Sequence, residues 1–441
     1  MRLGPLIPCE LFGRVQISPV QRVIEIDSAS NTRRPVPVTA SGDVIISADA
    51  LATIQSQMVI VIACMDEDVQ VIEGVLSGIP HDCLVIIVSN SSRSPVDNYG
   101  AEVALLEEFC AVTQRAAMII HQKDPEAAEA FRQAGMPELV SSSGTIHPGK
   151  GEAMIIGMAL AALTKRKYIG YVDADNFVPG SVNEYCRVFA AGLYAAKSPR
   201  AMVRISWNSK PKVRDGRLCF DKRGRSSIVV NEWFNKLLNE YTDDPNSELI
   251  VTGNAGEHAM TLELGLKLRL AGGFAIEPYE LLNILEQYGK STSKPSPAAT
   301  MLPAKAGVPM TAQATPVGPP VPSLARSDSG IVQVLQIETR NPHFHDSSKG
   351  EGHVRRMQMQ GLNVLYHSPL TPKALRAELA KFMEDQEDLL SGERPPCAQI
   401  YPPVGNLDFG VFFDLLTSNS TSFRQFLPES MPMEASLISR L

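Results

Sequence analysis

Between residues 57 and 90 the chain alternates an apolar run (MVIVIAC), an acidic turn (MDED), a helical pattern (VQVIEGVLSGI) and a second apolar run (LVIIVSN). A strand, a helix and a second strand joined by short connections force parallel pairing, because the helix carries the chain back to the same end of the sheet. Neither apolar run alternates with polar residues, as expected of strands covered on both faces. A third strand is predicted over residues 116–120, and Pro125 suits the first turn of a helix reaching Gln133. Helical period returns over residues 152–163, and a short buried strand is predicted over 168–172. The expected fold class is α/β, a nucleotide-binding fold with a mostly parallel central sheet. Ligands of such sheets gather outside the carboxyl ends of the strands. That rule places residues 65–68, 89–90, 121–124 and 173–176 on one rim.

Composition narrows the partners. The 41 basic and 48 acidic side chains give a net charge of -7, which offers no general attraction for nucleic acid or an anionic membrane. The seven cysteines are scattered and never spaced as CxxC, which reads as reduced thiols in a cytoplasmic protein. The N-terminal MRLGPLIPCELFG lacks the apolar stretch of a secretion signal. Residues 291–329 turn to Pro, Ala, Ser, Thr and Val without period, the composition of a disordered insertion. The expected organisation is an N-terminal extension packing on the core (1–56), a nucleotide-sugar and acceptor domain (57–290), the insertion (291–330), a C-terminal part of the catalytic domain (331–395) and a tail without assigned role (396–441). A short helix is predicted over 409–416.

Asp173-Ala174-Asp175-Asn176 follows the predicted strand 168–172. Two carboxylates at i and i+2 of an extended run share one side of the chain and can converge on a Mg²⁺ or Mn²⁺ ion that also takes diphosphate oxygens. Alone, such a pair serves equally to solvate a turn. In His147-Pro148-Gly149-Lys150-Gly151-Glu152 the glycines let backbone N–H groups approach a phosphate, and Lys150 adds a charge; a solvated surface loop is the alternative. Thr252-Gly253-Asn254-Ala255-Gly256-Glu257-His258 joins small residues to an amide, a carboxylate and an imidazole, as a sugar pocket would. The same residues also fit a helix cap, with Asn254 capping and Glu257 completing a capping box. His343 and His345 have ligand-like spacing on an extended segment, although isolated pairs are more often structural. The stretch from Arg204 to Arg225 holds eight basic residues, Arg204, Lys210, Lys212, Arg214, Arg217, Lys222, Arg223 and Arg225, suited to an anionic acceptor or to a solvated hairpin.

In order along the chain, GKGEAMIIG, YIGYVDADNFVPGSVNEY, MVRISWNSKPKV, GRSS, VTGNAGEHAM, IEPYE, QIETRNPHFH and YHSPL resemble the mannosyl-3-phosphoglycerate synthase family. The resemblance covers residues 8–290 and 331–370. It implies a GT-A-like fold with C-terminal acceptor-side elements, and a retaining transfer of mannose from GDP-mannose to 3-phospho-D-glycerate with a divalent metal, Mg²⁺ or Mn²⁺. It further implies Asp175 and His343 on the metal. Asp173, Asp175, Lys150 and Glu257 would take part in catalysis, and Ala63, Cys64, Met65, Glu67, Asn90, Gln122, Lys123, Lys150, Asp173 and Ala174 would lie around the donor. Asn254, His258 and Arg204 would face sugar or acceptor. Where family members read VPMKNE or VPTRNE, this chain has Ile62-Ala63-Cys64-Met65-Asp66-Glu67. The expected partners are these two small molecules, with neither nucleic acid nor membrane; a homodimer stays open. Three other readings stay open too: a synthase that uses free glycerate, a sugar nucleotidyltransferase, and a nucleotide-sugar-binding protein without turnover.

Overall fold

The computed structural model describes residues 1–27 (except 6 and 8), 42–289 (except 177, 215, 223 and 243–247), 330–344, 351–429 (except 387, 388 and 391) and 436–440. Seven strands form the heart of the sheet: β1 Met58–Cys64, β2 Leu84–Ser89, β3 Ala117–His121, β4 Tyr168–Tyr171, β5 Arg200–Ser206, β6 His258–Thr261 and β7 Val332–Glu338. Their order is β3-β2-β1-β4-β6-β5-β7. The first four are parallel, with Val59 opposite Leu84, Val85 opposite Ala117 and Met58 opposite Tyr168. β6 runs antiparallel to β4 and β5, while β5 and β7 are parallel to each other. The sheet is thus mixed, with its parallel part where the apolar runs predicted it.

Both edges are built from sequence-distant segments. Gln21–Glu25, Arg2–Pro5 and Asp43–Ile45 continue the sheet beyond β7, and Arg424–Phe426 pairs antiparallel with β3 at the other edge. Among the described residues the sheet has thirteen strands.

Side chains alternate across the parallel strands and feed two cores. Val59, Val61, Ile86 and Val88 pack on one face with helices α3 (Pro125–Gln133) and α4 (Lys150–Leu163). Met58, Ile60, Ile62, Val85 and Ile87 pack on the other with α1 (Val69–Gly78), α2 (Asn98–Thr113) and α5 (Pro179–Ala195). Each fully buried aliphatic side chain contributes roughly 1.5–3 kcal/mol, so no strand in this half can leave the sheet cheaply. Asp68 caps α1 by accepting from Gln70 N at 2.8 Å, and Asp124 caps α3 by accepting from Glu126 N at 2.9 Å ahead of Pro125. Three more helices bear on the site: α6 (Arg225–Asn239), α7 (Ile276–Tyr288) and α8 (Glu351–His367).

The hairpin expected among the basic residues forms from Lys210–Arg214 and Arg217–Asp221, and the short C-terminal helix spans Phe409–Asn419. The helix cap considered for Asn254 and Glu257 is not there. The chain passes straight into strand β6 at His258, because its backbone is taken by two antiparallel neighbours, β4 and β5. The insertion 291–329 and His345 lie outside the described residues. Among the described residues no helix is long and apolar enough to cross a membrane.

Candidate active site

The carboxyl ends of β1 to β4 deliver the rim loops, and α4 starts beside them. Helix α4 has no side-chain cap. Its start is fixed instead by Glu152, which accepts from Gly273 N at 3.0 Å and from the Tyr401 hydroxyl at 2.8 Å. A Cβ on Gly151 would come within 2.2 Å of Ala271 O, so this glycine lets the helix pack against the 271–273 turn. The glycine expected to open the loop to a phosphate thus has a packing reason of its own.

Lys150, the first residue of α4, bonds the Asp173 carboxylate and donates to Glu277 Oε1 at 2.6 Å. Its side chain is 14% exposed, that of Glu277 2%, and that of Asp173 32%. Burial alone would depress the ammonium, but the two carboxylates more than offset it and hold Lys150 charged well above its ordinary range. Gly256 closes on this pair: a Cβ there would stand 2.7 Å from Asp173 Oδ2.

Glu257, next in the chain, is fully buried. Asn176 Nδ2 donates to its Oε1 at 2.9 Å and the Trp207 indole N–H to its Oε2 at 3.0 Å. Asn176 also donates to Asp173 O at 3.0 Å, which ties the acidic loop to Glu257. Burial, with the Asp173 charge next, pushes the Glu257 carboxyl up to about 8. It is therefore an acid that changes state near neutrality, of the kind found at catalytic sites.

His343 closes the group. Its ring stacks on Trp207, with centroids 3.9 Å apart and planes 8° from parallel, and its Nδ1 is 2.9 Å from the Tyr185 hydroxyl. Two features of α5 hold its loop: Glu184 accepts from Arg340 N at 2.6 Å and Asn341 N at 2.9 Å, and the Ser181 hydroxyl donates to Pro342 O at 3.1 Å. Asp175 is half-buried on the same acidic loop, and its charge, like that of Asp173, acts on Glu257.

On the donor side, Met65 is exposed and Ala63 and Glu67 are half-buried. Asp66 takes a left-handed backbone (φ 62°), and its Oδ1 accepts from Ser92 N at 2.8 Å and Asn98 Nδ2 at 2.7 Å. That clamp, which replaces the expected family pattern, sets the loop after β1. Asn90 keeps its backbone N–H on Cys64 O at 2.8 Å. Beside these loops a cavity of about 490 Å³ is lined by Ser92, Arg93, His121, Lys123, Thr421 and Ser422 among others.

Several expected ligand contacts are corrected. Arg204 is wholly buried, donating to Thr252 O and Glu277 O at 2.8 Å each, so it braces the 252–257 loop against α7 and does not face an acceptor. His258 is wholly buried, its Nδ1 on Ala255 O and Gly256 O and its Nε2 2.6 Å from Glu280, whereas the Glu257 carboxylate beside it is held by Asn176 of the acidic loop and by Trp207. The Cys64 thiol is buried and pushed up by that burial, bonded toward Ser89 and Glu102. Gln122 is buried too, donating to His147 O at 2.7 Å and Gly149 O at 3.1 Å; it shapes the loop that presents Lys150. Asn254 is 4% exposed and has its Nδ2 on Ser226 at 3.5 Å. Trp207, Tyr185 and Glu277 belong to the site without having been singled out, although all three stand within the motifs MVRISWNSKPKV, YIGYVDADNFVPGSVNEY and IEPYE.

A lysine held between two acids and a buried carboxyl pushed up toward neutrality, at the carboxyl ends of parallel strands, mark a catalytic site, and the chain's family match makes it that of a glycosyltransferase. The chain matches the family model described as mannosyl-3-phosphoglycerate synthase over residues 7–416, and it belongs to that family. It is 35% identical over 417 residues to the mannosyl-3-phosphoglycerate synthase of Pyrococcus furiosus, covering 95% of this chain and 97% of that protein. To that of Aeropyrum pernix it is 32% identical over 414 residues, covering 94% and 97%. A crystal structure of glucosyl-3-phosphoglycerate synthase from Mycobacterium tuberculosis, in complex with Mn²⁺, UDP-glucose and glycerol 3-phosphate, aligns at a TM-score of 0.44 and 14% identity over 82% of this chain and 95% of that one.

Proposed function

We propose that this site transfers mannose from GDP-mannose to the hydroxyl of 3-phosphoglycerate with retention of configuration. The observation that carries the reading is the single cluster formed by Lys150, Asp173, Glu257 and His343, assembled from four separate stretches of chain at the strand ends. The donor would lie along the rim, its base toward Glu67, Asn90 and Lys123 and its diphosphate toward Lys150.

A divalent cation fits these residues. Among the described residues no three His, Cys, Asp or Glu side chains converge into a preformed cage. One carboxylate and one imidazole, Asp175 and His343, are what a Mg²⁺ or Mn²⁺ ion needs from protein when diphosphate oxygens complete its shell. When bound, such an ion offsets charge on the departing diphosphate. Lys150 supplies a second fixed positive charge there, and Asp173 and Glu277 keep its ammonium aimed. Tyr185 and Trp207 fix the His343 ring before any ligand arrives.

Glu257 would face the reacting sugar, either as an ionised group stabilising positive charge on the ring or as a nucleophile in a two-step path. For the acceptor phosphate, Arg225 at the start of α6 and Arg355 and Gln358 on α8 line a cavity of about 360 Å³. Helix N-termini and paired guanidiniums suit phosphate. The basic stretch thus contributes through its last member, while its first, Arg204, is structural.

The test is incubation with GDP-mannose, 3-phosphoglycerate and Mg²⁺ or Mn²⁺. GDP release that depends on 3-phosphoglycerate is expected. Release dependent only on glycerate would move the reading to the direct synthase, and no acceptor-dependent release would sink it.

A further inference from the structure

Trp207 follows strand β5 directly, at the point where two parts of the site meet. Its indole N–H holds Glu257 Oε2 at 3.0 Å, and its ring lies flat on the His343 imidazole at 3.9 Å. Lys210 Nζ, on the basic hairpin, stands 4.7 Å from the same ring. The backbone reinforces the arrangement: Ile205 N donates to Glu257 O at 3.1 Å, and His343 N donates to Ser209 O at 2.8 Å. Residues 205–209 therefore grip Glu257 on one side and His343 on the other.

We infer that Trp207 is a positioning residue for the transfer: it locks the Glu257 carboxylate and the His343 ring in one fixed relation. This rests on the proposed activity at the same site. Indole has one donor and no acceptor, so its hydrogen bond has a single sense. Asn176 holds one oxygen of Glu257 and Trp207 the other, which prevents the carboxylate from rotating. The flat stack sets the plane of the imidazole, and Tyr185 at Nδ1 sets its rotation within that plane. Removing the indole N–H frees the carboxylate, and narrowing the ring reduces the surface on which the imidazole rests. Trp207→Phe keeps an aromatic face under the His343 ring and removes only the donor to Glu257, so its effect falls on turnover more than on donor binding.

The experiment uses the full-length enzyme in two arms. In the first, Trp207→Phe keeps a ring but loses the donor. It is expected to lower kcat by about 10- to 100-fold, the usual cost of removing a group that orients a ligand, with KM for both substrates changed less than about threefold and a small fall in melting temperature from the acceptor left unmet. An unchanged kcat, or a loss carried by KM, overturns the inference. The second arm does not need that variant to fold. The chain has only two tryptophans, and Trp233 is buried on α6 against Phe382. In Trp233→Phe all indole emission comes from Trp207, and Mn²⁺ with GDP is expected to quench it strongly through the stacked His343. With binding of Mn²⁺ and GDP established by calorimetry on the same variant, absence of that quench shows Trp207 to be remote from the bound ion and refutes the positioning role. Trp233→Phe protein that is quenched while neither it nor the wild type releases GDP would fail the activity reading alone, leaving the geometry upheld.

Discussion

At the scale of single residues, charge and burial make opposite demands at the site. Glu277 is nearly inaccessible and depends on Lys150 for its counter-charge. Lys150→Met leaves that buried carboxylate without its hydrogen-bonded cation and with only the charge of Arg204 nearby; losing one partner of a buried pair typically costs about 3–5 kcal/mol, and Arg204 keeps the cost at the lower end. We expect a matching fall in urea stability together with a loss of turnover of roughly 100-fold or more. A stability loss without loss of activity would place Lys150 outside the reaction. Gly256→Ala tests alignment: the new methyl crowds Asp173, and displacement of that order costs up to about 100-fold in kcat. Steady-state kinetics beside a thermal melt separates this from unfolding.

Glu257 gives a pH test. Its folded value of about 8 lies above the ordinary 4.5, so the folded chain holds more protons than the unfolded one between those values. Stability therefore falls as pH rises through that window, by up to a few kcal/mol. Glu257→Gln removes the term, so its melting temperature relative to wild type should rise from about pH 5 to about pH 9. A parallel pair of melting curves would contradict the raised value. Retained product configuration at near wild-type rate in the same variant would exclude Glu257 as a nucleophile.

At the scale of elements, the C-terminal strand supports the donor side. Asp124 Oδ2 accepts from the Ser420 hydroxyl at 2.6 Å, from Ser422 N at 3.1 Å and from the Ser422 hydroxyl, while Tyr99 donates to Ser422 O at 2.6 Å. Burial opposes ionisation of Asp124, and these bonds together with its capping of α3 outweigh it, holding the carboxyl down to about 2. Its stabilisation is complete above the usual carboxylate range and is lost as pH falls toward about 2. Ending the chain after Asn419 should remove about 2–4 kcal/mol at neutral pH, since the bonds to the charged group are the stronger kind, and should flatten the acid limb of the stability curve. Urea unfolding at neutral and acid pH would measure both.

Residues 168–176 show what a single element reveals. Strand β4 is a buried apolar run, so the sequence places the acidic loop at its end. Whether Asp173 meets a metal or a lysine is not written there, because Lys150 stands 23 positions away and the Glu277 that holds it is 127 positions from Lys150. His258 and Arg204 show the converse. Both have polar heads suited to a ligand, yet the direction of a strand side chain is set by which face the neighbouring strands cover. Of these two adjacent buried residues, Glu257 is bonded to Trp207 and the acidic loop and His258 to Ala255 O and Glu280.

At the scale of the whole molecule, the chain closes on itself around Arg14. Arg14 N donates to Tyr288 O at 2.8 Å, and Arg14 O accepts from Val332 N at 2.9 Å. The two ends of the segment expected to be an insertion are thus held by one residue and lie close together. Replacing residues 291–329 with a short Gly/Ser linker should preserve the fold and gain about 1–2 kcal/mol from reduced closure entropy. A thermal melt checks the fold; a collapse in stability would show the segment to be part of it. Retained acceptor-dependent GDP release would further show that it is dispensable for turnover.

By itself the sequence determined the parallel half of the sheet, the helices that follow β1 and β3 and the one before β4, the rim where polar residues gather and, through motifs along most of the chain, the family. These rest on local apolar period and on connection length, which a chain carries in its order. The tertiary structure alone decided which charged groups reach the site and which are spent in the core. Lys150 with Glu277, Trp207 with His343, and Arg204 behind them are brought together by long-range packing, and a buried charge takes whatever partner the fold brings within reach.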